Sequence, residues 1–196
     1  MSRAGLSELT AFIAHTPTLA CQALVPTKRL LEQRHQLDDP AMHGRMDETY
    51  IKVKGQWRYL YRAVEKAGDT IDFLFRAKRD KVAARRFFEK AIAQNGSPET
   101  VTIDKSGSNL AALHAVNAGR ETPIKVRQVK YLNNVVEQDH RAIKHRTRPM
   151  LGFKEFDCAR VILSGIEVMH MIKKGQMKCA NKTLLSAAGQ FYTLAS

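Results

Sequence analysis

The rhythm of apolar and polar positions changes several times along this chain, and each change marks an element. Residues 57–64, WRYLYRAV, alternate in the manner of a half-buried strand. Tyr50, Ile51 and Val53 stand in a β-rich run just before them, and Lys54-Gly55-Gln56 reads as the turn between the two. Lys66-Ala67-Gly68-Asp69 is a second turn, leading to a third strand over residues 70–75. Together these make an antiparallel meander. The period then lengthens. Val82, Phe87, Phe88, Ala91 and Ile92 recur at roughly helical spacing within residues 81–94, and Asn95-Gly96-Ser97-Pro98 stops that helix. A short strand, residues 100–103, delivers Asp104 to a loop, and residues 109–118 read as a helix closed by Gly119. A fifth strand over 124–129 is followed by a helix that opens at Asn134 and runs through Lys144. A longer helix over 156–174 carries Val161, Ile162, Ile166, Val168, Met169 and Ile172 as its docking face. The predicted order is β-β-β-α-β-α-β-α-α.

Residues 1–45 follow no such pattern. They hold Pro17, Pro26 and Pro40; Lys28–Gln36 reads as a short helix, and LDDPAMHG as a turn-rich connector. No pair of helices with a tight turn is recognisable there. The chain therefore divides into a divergent segment 1–45, a core 46–176 and a tail 177–196.

Composition narrows the partners. Of 196 residues 44% are hydrophobic, enough for one domain with a core. The formal net charge of +13 and a pI near 9.9 favour polyanions. No stretch is long and apolar enough to span a bilayer, so nucleic acid is the expected partner rather than a membrane. The cysteines, Cys21, Cys158 and Cys179, are scattered without a CxxC pair. That argues against zinc and for a reducing, cytoplasmic setting.

The element order suggests an RNase H-like α/β fold: a central mixed five-stranded sheet, an antiparallel meander followed by β-α-β units, with helices on its faces. In such a sheet an acid on the first strand and an acid ending the fourth lie side by side, and a third arrives from a late helix. Asp47, Asp104 and Glu137 occupy those places. Phosphodiester attack develops charge on the entering and leaving oxygens, and two divalent ions held by carboxylates can stabilise both. Each acid also has a plainer reading. Asp47 could be a solvated strand residue, Asp104 a loop acid, and Glu137 the partner of Asn134 in a capping box. Glu48 is expected on the sheet face opposite Asp47, and so not as a ligand. His140 and His145 remain unassigned, and Trp57, Tyr59 and Tyr61 are expected as core or cross-strand residues.

Several stretches resemble the DDE transposases of bacterial insertion sequences, in particular the insertion-sequence-six group. They are MDETYIKVKGQWRYLYRAV around Asp47, TIDKSGSN around Asp104 and VKYLNNVVEQDHRAIK around Glu137, followed by LGFKEF, GIEVM and KKGQ in order. Glu137 stands 33 positions after Asp104. The resemblance covers Asp47 to about Gln176. It implies a bacterial enzyme that cleaves DNA at transposon ends, frees a 3′-OH and joins it to target DNA by transesterification. It implies two Mg²⁺ or Mn²⁺ ions held by Asp47, Asp104 and Glu137, with Lys144 contacting phosphate near the scissile bond. Double-stranded DNA and a homodimer or larger synaptic assembly are the implied partners, at the nucleoid.

Lys144 stands two helical turns after Glu137 and so on the same face. Between Ile124 and Lys154 there are eight Lys or Arg against two acids, and Lys125, Arg127, Lys130, Arg141, Arg146 and Arg148 are candidates to follow a DNA backbone with it. Relatives carry a helix-turn-helix before the first aspartate, and residues 1–45 do not match it. The alternative reading is a catalytically silent basic DNA-binding relic, or a regulator of a full-length transposase.

Overall fold

The structure is a computed structural model that describes residues 43–129 and 134–177, with Ser186 and Gln190. The expected helix at 28–36, Cys21, Cys179, Lys130 and most of the tail lie outside the described residues. The chain divides into two compact units, residues 36–152 and residues 1–35 with 153–196.

In the first unit the chain runs β1 (His43–Val53), β2 (Gln56–Val64), β3 (Thr70–Arg76), α1 (Lys81–Asn95), β4 (Thr100–Ile103), α2 (Gly107–Asn117), β5 (Lys125–Gln128) and α3 (Asn134–Thr147). A 3-10 turn over Arg148–Met150 follows. The described part of the second unit holds α4 (Phe156–Lys173), with all six of the expected apolar residues buried. The strands form one mixed sheet in the order β3-β2-β1-β4-β5. β1–β2 and β2–β3 pair antiparallel, whereas β1–β4 and β4–β5 pair parallel. This is the RNase H-like arrangement that the element order implied.

Local chemistry sets most of these elements. Lys54 and Gly55 both take positive φ, 48° and 75°, the twist that suits a two-residue hairpin turn. The Asp80 side chain caps α1 by accepting from Ala83 N at 2.7 Å, and Gly96 ends it with φ 87°. The buried face of α1 is Ala83, Ala84, Phe87, Phe88 and Ala91; Val82, assigned to that face by spacing, is 58% exposed. These residues pack with Met46, Tyr61, Ala63, Val101, Ile103, Ala112 and Leu113 into the main core on one side of the sheet.

β1 begins earlier than its sequence suggests. His43 and Gly44, read as the end of a connector, are strand residues. Pairing with β4 (His43↔Thr100, Gly44↔Val101, Arg45↔Thr102) recruits them despite their weak β preference.

Gly152 fixes the exit from α3. Its φ is +103°, and an added Cβ would lie 3.1 Å from the Lys52 carbonyl oxygen and 3.3 Å from Lys52 Cβ. Left-handed strain and a backbone clash then act together. Gly152→Ala is expected to destabilise the fold by about 1–3 kcal/mol in urea titration. A variant as stable as the parent would show that this loop is free to move off β1.

Candidate active site

Parallel pairing places the first two acids. Met46 is registered with Ile103, the last residue of β4, so the next residues of the two strands, Asp47 and Asp104, stand side by side. Asp47 Oδ1 accepts from Glu48 N at 2.8 Å, while Asp104 Oδ1 accepts from Ser106 N at 3.1 Å and Asn109 Nδ2 at 3.3 Å. One carboxylate oxygen from each of Asp47, Glu48 and Asp104 lies within 4.8 Å of the other two. Glu137 stands outside this group.

Strand alternation does aim Glu48 at the side of the sheet away from α3, as its partners show. Its Oε2 accepts from Asn109 Nδ2 at 2.8 Å and its Oε1 ion-pairs with Arg79. β4 ends level with Met46, however, so on that side of β1 no strand continues beside Asp47 and Glu48 to separate the two faces, although β2 still flanks them on the other side. The long glutamate side chain reaches the edge where Asp104 sits. Glu48 therefore joins the acids, contrary to the reading from alternation alone. Arg79 organises the same corner. Its Nη2 donates to Ser106 Oγ at 3.1 Å and lies 4.0 Å from Asp104 Oδ2, while its Nη1 donates to the Tyr50 hydroxyl at 3.3 Å. Neither Arg79 nor Asn109 stood out in the sequence, because nothing local links them to Glu48.

The second wall comes from α3, which packs across β1 and β2. Val136, His140, Ile143 and Thr147 are buried, at the i, i+4, i+7, i+11 spacing of a packed stripe. Glu137, Arg141, Lys144 and Arg148 each follow one of these residues and so form an adjacent stripe. All four line an open cleft with Asp47, Glu48, Thr49 and Tyr50. Of the expected phosphate-contacting residues, Arg141, Lys144 and Arg148 thus share the cleft with Asp47, Glu48 and Glu137. Lys125 and Arg127 are exposed on the edge strand β5, with Lys125 paired to Glu99 at 2.8 Å, and Arg146 is not in the cleft lining.

Electrostatics marks Asp47. Burial pushes its carboxyl up to about 7 and the charges of Glu48, Asp104 and Glu137 push the same way, against a backbone hydrogen bond that lowers it. Burial also raises Glu48, against the lowering effect of Asn109 and Arg79. His140 Nδ1 is 3.8 Å from Asp47 Oδ2, but burial, with Arg62 and Lys144, pushes this imidazole down to about 3. It is neutral at ordinary pH and does not offset the carboxylates. Hard oxygen donors crowded together, one of them costly to ionise, form a donor set that suits a divalent cation such as Mg²⁺ or Mn²⁺.

Folded Asp47 holds its proton up to about pH 7, the unfolded chain only to about 4, so this group's contribution to stability is lost as pH rises through 7. His140 acts oppositely below pH 6.5, and the difference between parent and Asp47→Asn isolates Asp47. In EDTA at pH 8, Asp47→Asn is expected to be more stable than the parent by a few kcal/mol, on the order set by the shift. The advantage should vanish near pH 4. Equal urea midpoints at both pH values would contradict a destabilised carboxylate.

Fold and cleft define an α/β domain whose adjacent strands set two aspartates against a cationic helix face. Known proteins narrow that class. The DDE domain family (DDE_Tnp_IS240) matches residues 42–176, and the chain belongs to this family of DDE transposases. It is 41% identical over 132 residues to the transposase for insertion sequence-like element IS431mec of Staphylococcus aureus, a match covering 66% of this chain and 57% of that one. The transposase of IS257 in transposon Tn4003 from the same species matches equally. An uncharacterised Yersinia pseudotuberculosis protein is 35% identical over 94 residues, 46% of this chain and 88% of that one. The chain thus spans a little over half the length of the staphylococcal relatives. Among solved structures it is similar to the HTLV-2 integrase catalytic core domain in complex with magnesium, with TM-score 0.49 and 17% identity. That similarity covers 68% of this chain and 86% of the integrase chain. The BIV integrase core gives 0.48 and 16%, covering 67% and 84%.

Proposed function

We propose that the chain carries the catalytic core of an insertion-sequence transposase, a polynucleotidyl transferase that cleaves strands at transposon ends and joins the freed 3′-OH to target DNA. The observation that carries this reading is that β1 and β4 bring Asp47 beside Asp104, with Asp47 also lining a cleft whose other wall bears Glu137, Arg141, Lys144 and Arg148. Asp47, Asp104 and Glu137 would hold the divalent ions. When bound, these supply positive charge at the attacking and leaving oxygens. Asn109 holds Glu48 and Asp104 together, and Arg79 holds Glu48 while bridging to Ser106, so the acids keep their spacing before substrate arrives. Lys144, Arg141 and Arg148 bind the phosphates flanking the scissile bond and orient the strand along the cleft. Double-stranded DNA is the partner, and a synaptic dimer or larger assembly brings two ends together.

The second reading, a DNA-binding regulator without catalysis, is favoured by one feature: Glu137 lies outside the 4.8 Å group of acids. Strand transfer separates the two. Purified protein is incubated with pre-cleaved transposon-end DNA, a plasmid target and Mg²⁺, with Glu137→Gln as control. Joined product from the parent alone is expected. DNA binding without product from either would support the regulator.

A further inference from the structure

The β1–β2 hairpin carries a row of aromatic residues apart from the acids and the cationic face of α3. Register places Glu48 opposite Tyr61, Tyr50 opposite Tyr59 and Lys52 opposite Trp57, all on one face. The row emerges from the core step by step. Tyr61 is fully buried and stacked on Phe87 with centroids 5.9 Å apart. Tyr59 is half-buried and meets Tyr50 edge-on at 5.4 Å. Tyr50 is 44% exposed and Trp57, which meets it edge-on at 6.4 Å, is 59% exposed. Core or cross-strand packing accounts for Tyr61 and Tyr59. It does not account for leaving the largest aromatic side chain of the domain mostly in water, beside a second exposed ring.

Position supplies the reason. Tyr50 lines the same cleft as Asp47, Glu48 and Glu137, and its hydroxyl is tied through Arg79 to Glu48 and Ser106. At about 3.3 Å per residue, Tyr50 lies about 10 Å and Trp57 about 17 Å from Asp47 along the hairpin. That is about three to five nucleotide steps at duplex spacing. Lys52 and Lys54 are exposed along the same edge, so a polyanionic strand leaving the cleft in this direction meets positive charge and open ring faces together. A paired base shows no face to stack upon, whereas an unpaired one does, and stacking on aromatic rings tolerates any base.

We propose that the Tyr50–Trp57 edge is a stacking platform for unpaired bases of the DNA strand that runs out of the cleft. The proposal rests on DNA being the substrate. It assigns the hairpin tip to holding a strand whose bases are out of the helix, as at a frayed or displaced end, and so to keeping such an end from leaving.

Trp57 is the chain's single tryptophan, so its fluorescence reports on this edge alone. The probes are labelled duplexes with a five-nucleotide single-stranded extension, either with bases or abasic. Anisotropy follows DNA binding and Trp57 emission follows stacking. The expected result is quenching by the base-bearing extension only. Binding of that probe should weaken about tenfold in Trp57→Ala and with the abasic probe, and be kept in Trp57→Phe. Because Trp57 is exposed, these variants test the surface rather than the fold. Equal binding of both extensions without quenching overturns the platform and leaves the DNA reading intact. Loss of self-association in Trp57→Ala, with DNA binding unchanged, overturns it in favour of a contact between copies. No binding to any DNA removes the DNA reading, and the platform with it.

Discussion

Asp47→Asn and Asp104→Asn are each expected to lower strand transfer by about a thousandfold or more, a loss of about 4 kcal/mol of transition-state stabilisation. Both side chains keep their size and can still accept the hydrogen bonds from Glu48 N, Ser106 N and Asn109, so the strands that carry them need not shift. What disappears is charge at the point where Met46↔Ile103 register makes the two carboxylates neighbours. DNA binding should be unchanged or slightly tighter, because an acid facing phosphate has been removed. The third acid needs a paired comparison. Glu137→Gln is expected to be as damaging as the aspartate changes. Glu48→Gln should cost only about tenfold, since glutamine can still meet Arg79 or Asn109. The reverse ranking in the strand-transfer assay would move the third ligand from Glu137 on α3 to Glu48 on β1. It would also reduce the helix to a phosphate-binding wall.

Arg79→Ala should unfold at markedly lower urea than the parent. The Glu48 side chain is 2% exposed, and Arg79 is the cation paired with it. Removing one partner of a buried pair typically costs about 3–5 kcal/mol because the remaining charge is stranded. The Arg79 side chain is itself 33% exposed, so part of that cost is met by water, and about 2–3 kcal/mol is expected here. The donations to Ser106 Oγ and the Tyr50 hydroxyl go with it. Burial already holds the Glu48 proton more tightly than in the unfolded chain. Without Arg79 the folded protein favours the protonated form further, so the deficit should shrink as pH falls from 7 toward 4. The double change Arg79→Ala with Glu48→Gln should recover most of the stability at pH 7. If Arg79→Ala alone matched the parent, water would have to reach Glu48, and the corner would not be held by this pair.

Local signals in the sequence determined a great deal. The period-two run of residues 57–64, the Lys54-Gly55 turn and the Asn95–Pro98 stop each act within a few residues, so the order of strands and helices was legible before any fold was known. Asp104 at the end of a four-residue strand was legible for the same reason. The spacing of Lys144 from Glu137 also carried over, because seven residues of helix return to one face whatever surrounds them.

Tertiary structure decided the rest. His43 and Gly44 become strand only because β4 lies beside them. Glu48 joins the acids only because β4 stops at Ile103, which opens the sheet edge to a side chain long enough to turn the corner. Arg79, 31 positions after Glu48, and Asn109, 61 after, become its partners through two helix-sheet junctions. Arg141, Lys144 and Arg148 are sorted from Arg146 by which neighbours on α3 are buried against the sheet. Which aromatic residues of the hairpin stay in water depends on how far α1 covers the face. Local patterns specify elements because their causes are steric and act over a few bonds. Contacts across the sheet depend on register, strand length and side-chain reach, which exist only once the strands have paired.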